Sequence, residues 1–360
     1  MSIIDEYLPE KVRRIEEYTP NEAIYPIRLD ANESPYQPSP ELCGRFADIV
    51  REASYNRYPD PSAKAMIAAF CGVYGVEPDC VAAGNGSDEL ISILYGSFLA
   101  AGDKVMILSP DFSMYSFYDG LAEAQLIRWE KPDLSTIDFD AASALAASEK
   151  VRMVIFSNPC NPTGRVYDRA AILKFVQSLP CLCVVDEAYM DFSPENSSVL
   201  DQCGKIPNLI VLKTLSKMGL AALRVGFAVS GREIAAAIRK VKSPYNVNSL
   251  SQALACEALR SFPEFAARIE AVKRDVRSLW KAVLPLGEKG GFTAGEPGAN
   301  FVTLVFADGA RAKAIFEGMK RDGVIVRYTC GRCLRVTCGT PAENAAFLAA
   351  FTRCLKDENS

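Results

Sequence analysis

The 360-residue sequence predicts an α/β fold, a mostly parallel central sheet with helices on both faces, plus a smaller α+β domain. Three observations carry this. From about residue 60 to residue 280, short apolar runs alternate with helix-period stretches such as AAILKFVQSL. The runs KVMILSP, VRMVIFSNP, CLCVVDEAY and NLIVLKT are almost continuously apolar and end in polar or turn residues, as parallel strands buried on both faces do. With 49% hydrophobic residues the chain can bury a sizeable core, and its length suits two lobes better than one.

In chain order, residues 1–45 form a Pro-rich, irregular segment (YPIRLDANESPYQPSP) that must pack along both lobes to be ordered. Residues 46–280 form the large domain of alternating strands and helices, and FPEFAARIEAVKRDVRSLWKAVL reads as one long helix near its end. Residues 281–360 form the small domain: a turn-rich stretch leading into a strand (GEKGGFTAGEPGANFVTLVF), a helix (AKAIFEGMKRDG), two short strands (VIVR and CLRVTC) and a closing helix (PAENAAFLAAF). Internal repeats and low-complexity tracts are not evident.

Charge and cysteine usage narrow the function class. Forty basic against 44 acidic residues give a net charge of −4 with no basic block, which argues against nucleic-acid or polybasic membrane binding and for small-molecule chemistry. MSIIDEYLPEKVRRIEEY lacks an apolar core for a signal peptide, and no run of about 18 apolar residues follows, so a cytoplasmic protein is expected. The twelve cysteines lie mostly in apolar segments, as small buried thiols do in a reducing compartment. Cys330, Cys333 and Cys338 form the one cluster, but a closed zinc site needs four ligands and the chain has no histidine; no metal is expected.

In an open parallel sheet, function belongs at the carboxyl ends of the strands. VAAGNGSDELISIL places Gly84, Gly86 and Ser87 just before a helix, so free backbone N–H groups and the positive end of the helix dipole suit a phosphate; a plain Gly-rich turn with a Ser cap is the alternative. In SNPCNPTG, Asn161 stands between two prolines, with its amide donor and carbonyl fixed in direction. Asp186 follows five apolar residues, where a carboxylate is costly unless a cation meets it; Lys217 after the next strand or a ligand cation could do so. The remaining candidates are Tyr189 in DEAY and, in KTLSKMGLAALRVGF, Ser216, Lys217 and Arg224. A phosphate cradle, a strand-end carboxylate, a fixed Asn and Tyr, and a lysine beside Ser and Arg are the set that holds pyridoxal phosphate as a lysine Schiff base.

GNGSDE, PDFSMY, SNPCNPTG, DEAY and SKMGLAALRVGF, in this order, resemble the fold-type I pyridoxal-phosphate aminotransferases over nearly the whole chain. LDANESPY, NRYPD, PYNVNSLSQALA and CLRVTCGTPAEN resemble the histidinol-phosphate aminotransferases within them. The resemblance implies that Lys217 is the Schiff-base lysine and the general acid/base. Asp186 would pair with the pyridine nitrogen, and Asn161 and Tyr189 would hydrogen-bond the ring's phenolate oxygen. The phosphate would meet the Gly86–Ser87–Asp88 backbone, Ser216, Arg224 and Tyr58 from a second subunit. The side chains of Asp88 and Glu89 would have to point away or pair elsewhere, since acids in the first helical turn oppose an anion. Phe112 stands where many relatives have a ring-stacking tyrosine. Arg335 would grip the carboxylate of glutamate or 2-oxoglutarate and the phosphate of histidinol phosphate, Arg327 would be a second anion contact, and Asn32 and Tyr36 would close over the substrate.

Two departures from the family pattern are visible. The Lys217-to-Arg224 linker is one residue shorter than in many members, so its turn must be tighter, which Gly219 allows; the loop from Arg327 to Arg335 is also short. The implied activity is amino transfer between histidinol phosphate and 2-oxoglutarate, in histidine biosynthesis, by a homodimer with a shared active site. Threonine-phosphate decarboxylase and aromatic-amino-acid aminotransferase use the same scaffold and remain open, as does a cofactor-binding module without turnover.

Overall fold

The computed structural model describes residues 6–15 and 23–357; the parts of the N-terminal readings that fall on residues 1–5 and 16–22 lie outside the described residues. Among the described residues, twelve strands form two sheets. They are β1 Ile27–Leu29, β2 Val81–Gly84, β3 Lys104–Ser109, β4 Gln125–Glu130, β5 Met153–Ser157, β6 Leu182–Asp186, β7 Leu209–Thr214, β8 Gly226–Ser230, β9 Phe292–Ala294, β10 Phe301–Phe306, β11 Val324–Thr329 and β12 Cys333–Thr337.

The larger sheet has the order β2-β8-β7-β6-β5-β3-β4. From β7 to β4 every neighbour is parallel, and β8 is antiparallel to both β7 and β2. All residues of β5 and β7 are buried, which explains their unbroken apolar runs. Across β5, β6 and β7 the two-residue period still sorts the side chains: Val154, Phe156, Val185 and Val211 enter one core cluster, and Ile155, Val184, Ile210 and Leu212 enter the other. Three of the flanking helices are opened by a side-chain cap, with Asp138, Asp168 and Asn248 accepting from the N–H of Ala141, Ala171 and Ser251.

The smaller sheet has the order β1-β11-β12-β10-β9. Its antiparallel hairpin β11–β12 pairs Arg327 with Arg335, so both side chains leave the same face. The reading of residues 1–45 as irregular needs correction. Ile27–Leu29 adds to the outer edge of β11 as a parallel strand, and Pro40–Glu52 is a 13-residue helix capped by Ser39. An open strand edge offers unpaired backbone groups, and the nearest way to satisfy them here is a distant piece of chain, invisible to local pattern. The long helix spans Phe262–Val283 as expected. Among the described residues, no helix is long and apolar enough to cross a membrane.

Candidate active site

The carboxyl ends of β2, β3, β5, β6 and β7 meet at one cleft. β6 ends in Asp186, in register with Ser157 at the end of β5, while β7 hands over to Thr214, Ser216 and Lys217. A cavity of about 200 Å³ is lined by Ser87, Asp88, Phe112, Asn161, Asp186, Tyr189, Ser216, Lys217 and Arg224. A second of about 450 Å³ shares Asp88, Phe112, Asn161, Tyr189 and Lys217 and extends to Arg28, Asn32, Arg327 and Arg335. Thus Lys217 stands where the two meet. Its Nζ lies 3.4 Å from Ala31 O and 5.8 Å from the Tyr189 ring centre.

Asp186 lies buried at the floor of the cleft. It is 4% exposed, and burial pushes its carboxyl up to about 6. Two donors hold it: the Tyr115 hydroxyl at 2.8 Å and the Ala188 N–H at 3.0 Å. The lysine considered as its partner is turned elsewhere, so hydrogen bonds and not an ion pair stabilise the charge. Tyr115 was missed by sequence reasoning, although it lies one helical turn after Phe112 in PDFSMY, and its ring meets that of Phe112 edge-on at 5.6 Å.

The helix Gly86–Phe98 starts at the end of β2 with no side-chain cap, so its first N–H groups are left for something else. Asn85 occupies the N-cap, and Ser87 sits inside the helix, which removes the plain Ser-cap alternative. The approach is tight. A Cβ on Gly86 would lie 2.8 Å from Arg224 Nη2, and one on Gly226 would lie 2.5 Å from Gly86 C and Ser87 N. Arg224, at φ 53°, reaches back so that Nη1 is 3.5 Å from Ser216 Oγ. The short linker is accommodated by Gly219 at φ 110° and two single 3₁₀ turns, Ser216–Met218 and Ala221–Leu223.

The expectation for the first helical turn needs refinement. Glu89 is turned back, accepting from Asn85 N–H and Asn246 Nδ2. Asp88, however, pairs at 3.4 Å with Arg224 itself, the cation expected to face the anion.

At the other end, Arg335 donates to Asn161 Oδ1 at 2.6 Å and to Asp30 O at 2.7 Å. Asn32 is fixed between Thr337 and Tyr189, donating through Nδ2 to the Tyr189 hydroxyl at 3.0 Å. Tyr36 and Tyr58 line neither cavity. The Tyr36 hydroxyl donates to Asp275 at 3.0 Å, and Tyr58 is 82% exposed, stacked on Tyr245. Cys330 is exposed beside the β11–β12 turn while Cys333 and Cys338 are buried, and among the described residues no cluster could hold a metal ion.

These residues fit pyridoxal phosphate. An uncapped helix start facing Arg224 and Ser216 suits the phosphate, a buried carboxylate without a cationic partner suits a protonated ring nitrogen, and an amine lies on the common wall.

Comparison with known proteins agrees with the geometry. Residues 25–351 match the family model described as aminotransferase class I and II. A histidinol-phosphate aminotransferase of Clostridium kluyveri is 32% identical over 98% of this chain and 100% of its own. One from a Thermoanaerobacter species is 35% identical over 90% of both chains. The crystal structure of histidinol-phosphate aminotransferase from Sinorhizobium meliloti, in complex with pyridoxal-5'-phosphate, superposes with a TM-score of 0.88 at 22% identity, covering 98% of each chain.

Proposed function

Because this chain belongs to the aminotransferase class I and II family, we propose that it exchanges an amino group between histidinol phosphate and 2-oxoglutarate, giving imidazole-acetol phosphate and glutamate, in histidine biosynthesis. The full-length relatives of that activity support the substrate choice. The observation that carries it in this chain is the cross-strand pair of guanidinium side chains, Arg327 beside Arg335, on the wall of the cavity that also holds Lys217. Like charges directly opposite on one face repel, so this arrangement favours an occupant with strong negative charge. A phosphate in one half-reaction and a carboxylate in the other meet that need.

Pyridoxal phosphate, when bound, supplies a ring that accepts electrons from the substrate's Cα. The chain's own residues do the rest. Asp186 keeps the ring nitrogen protonated, because a cation opposite a desolvated carboxylate is favoured by both. Lys217, an amine on the wall of both cavities, would hold the cofactor and would move the proton at the substrate Cα. Asn161 and Tyr189 donate to the ring oxygen, with Asn32 setting the direction of the Tyr189 hydroxyl. Ser87 N–H, Ser216 and Arg224 would hold the phosphate, and Phe112 would supply an aromatic surface for the ring. Tyr58 completes the phosphate site from a second subunit, in a homodimer.

Single-turnover exposure of the pyridoxal form to histidinol phosphate, phosphothreonine and phenylalanine, with products identified, tests the proposal. A ketone from histidinol phosphate is expected. Carbon dioxide from phosphothreonine, with no ketone from histidinol phosphate, would replace it by the decarboxylase.

A further inference from the structure

The loops after β3, β4 and β5 bury an ion pair to which no role has been given. Lys131 directly follows β4 and Asp111 lies two residues past β3; both side chains are fully buried, with Nζ 3.6 Å from Oδ2. Lys131 also donates to Pro110 O at 2.8 Å and to Cys160 Sγ at 3.2 Å. Two charges removed from water cost more than their attraction returns unless hydrogen bonds complete them, and the completing bonds here lead to the cleft.

Asp111 accepts from the Phe112 N–H at 2.8 Å, from the Ser157 N–H at 3.1 Å and from the Ser157 hydroxyl. An ionised carboxylate can only accept, so the Ser157 proton is committed to it. The lone pairs of Ser157 Oγ are then turned to the Asn161 N–H, which donates at 2.8 Å. Asn161 Oδ1 in turn accepts from Arg335. One polarised line therefore runs from Lys131 through Asp111 and Ser157 to Asn161, with the Phe112 backbone held by the same carboxylate.

We propose that Lys131 and Asp111 are positioning residues: the charge on Asp111, maintained by Lys131, fixes the Ser157 hydroxyl, whose oxygen anchors the Asn161 backbone and so aims the Asn161 side chain at the cofactor's ring oxygen. This rests on the role given to Asn161 above. Were Asp111 neutral, the charge-assisted bond that fixes the Ser157 hydroxyl would weaken, and Ser157 Oγ would hold the Asn161 N–H less firmly.

The test is the pH at which the visible absorption band of the cofactor-loaded protein is half-converted, measured with the thermal midpoint. Losing a donor to the ring oxygen raises that pH, so Asn161→Ala should shift it upward. Asp111→Asn and Lys131→Met should shift it the same way, Lys131→Arg should restore it, and Asp111→Asn should add nothing in the Asn161→Ala background. If Asp111→Asn does not fold, the double variant Asp111→Asn/Lys131→Met, which removes both charges at similar volume, carries the same comparison. A lowered thermal midpoint with the spectral midpoint unmoved would make the pair merely structural and overturn the inference. An unmoved midpoint in Asn161→Ala would instead remove the ring-oxygen role, and the inference with it.

Discussion

Asp186 shows how one residue couples stability to chemistry. Burial raises its carboxyl to about 6, and burial raises the neighbouring Glu187 to about 7. A carboxyl whose native value exceeds its unfolded one binds more protons when folded, so it stabilises the fold below the unfolded value near 4 and loses that contribution as pH rises through 6 to 7. For Asp186 the change is on the order of 3 kcal/mol. The cofactor-free protein should therefore lose stability in urea melts between pH 4 and pH 7, and Asp186→Asn should flatten part of that slope. An unchanged slope would show that Asp186 is not the titrating group. Bound cofactor brings a cation to the carboxylate and should reduce the same slope. Lys217 is tested differently: Lys217→Ala should remove the visible band and lower turnover by about 10³-fold or more, while the melt stays near wild type because the side chain is half-buried with one weak acceptor. Persistence of the band would reject the assignment.

Among the elements, the pieces with a local signal were legible. NLIVLKT and CLCVVDEAY announce buried strands, and Asp186 and Lys217 sit where such strands end. What depended on distant partners was not. β8 is buried throughout like β5 and β7, yet it runs against its neighbours, a direction set by the short connection of residues 215–225 back to β7. The hold of Tyr115 on Asp186 spans 71 residues, and the strand β1 needs an edge made 297 residues later. The β8 contact also makes a prediction. Gly226 lets β8 lie against the start of the Gly86 helix so closely that an added methyl meets backbone at 2.5 Å. Backbone cannot rotate aside as a side chain can, so Gly226→Ala should cost about 1–3 kcal/mol in chemical denaturation. Because the displaced atoms are the Gly86 carbonyl carbon and Ser87 nitrogen, cofactor affinity should fall as well. Loss of stability with cofactor affinity intact would separate this helix start from the phosphate.

At the scale of the whole molecule, one expected site residue lines neither cavity of its own chain. Tyr58 is 82% exposed and stacked 4.6 Å from Tyr245, itself 41% exposed. Large aromatics left open together favour burial against a partner, and a symmetric dimer buries the same patch twice. If Tyr58 reaches the partner's phosphate, neither chain owns a complete site. A phenol donating to a phosphate contributes about 1.5–3 kcal/mol, so Tyr58→Ala should weaken cofactor binding by roughly 10- to 100-fold. The decisive arrangement is to unfold and refold an equal mixture of Lys217→Ala and Tyr58→Ala chains. In a mixed dimer, the site holding the intact Lys217 receives an intact Tyr58 from the other chain, while the second site carries both defects. Random pairing makes half the dimers mixed, so activity at subsaturating cofactor should recover to about one quarter of wild type. Recovery no greater than the average of the two parents would mean that Tyr58 serves its own chain or none, and the shared site would have to be abandoned even if the protein sediments as a dimer.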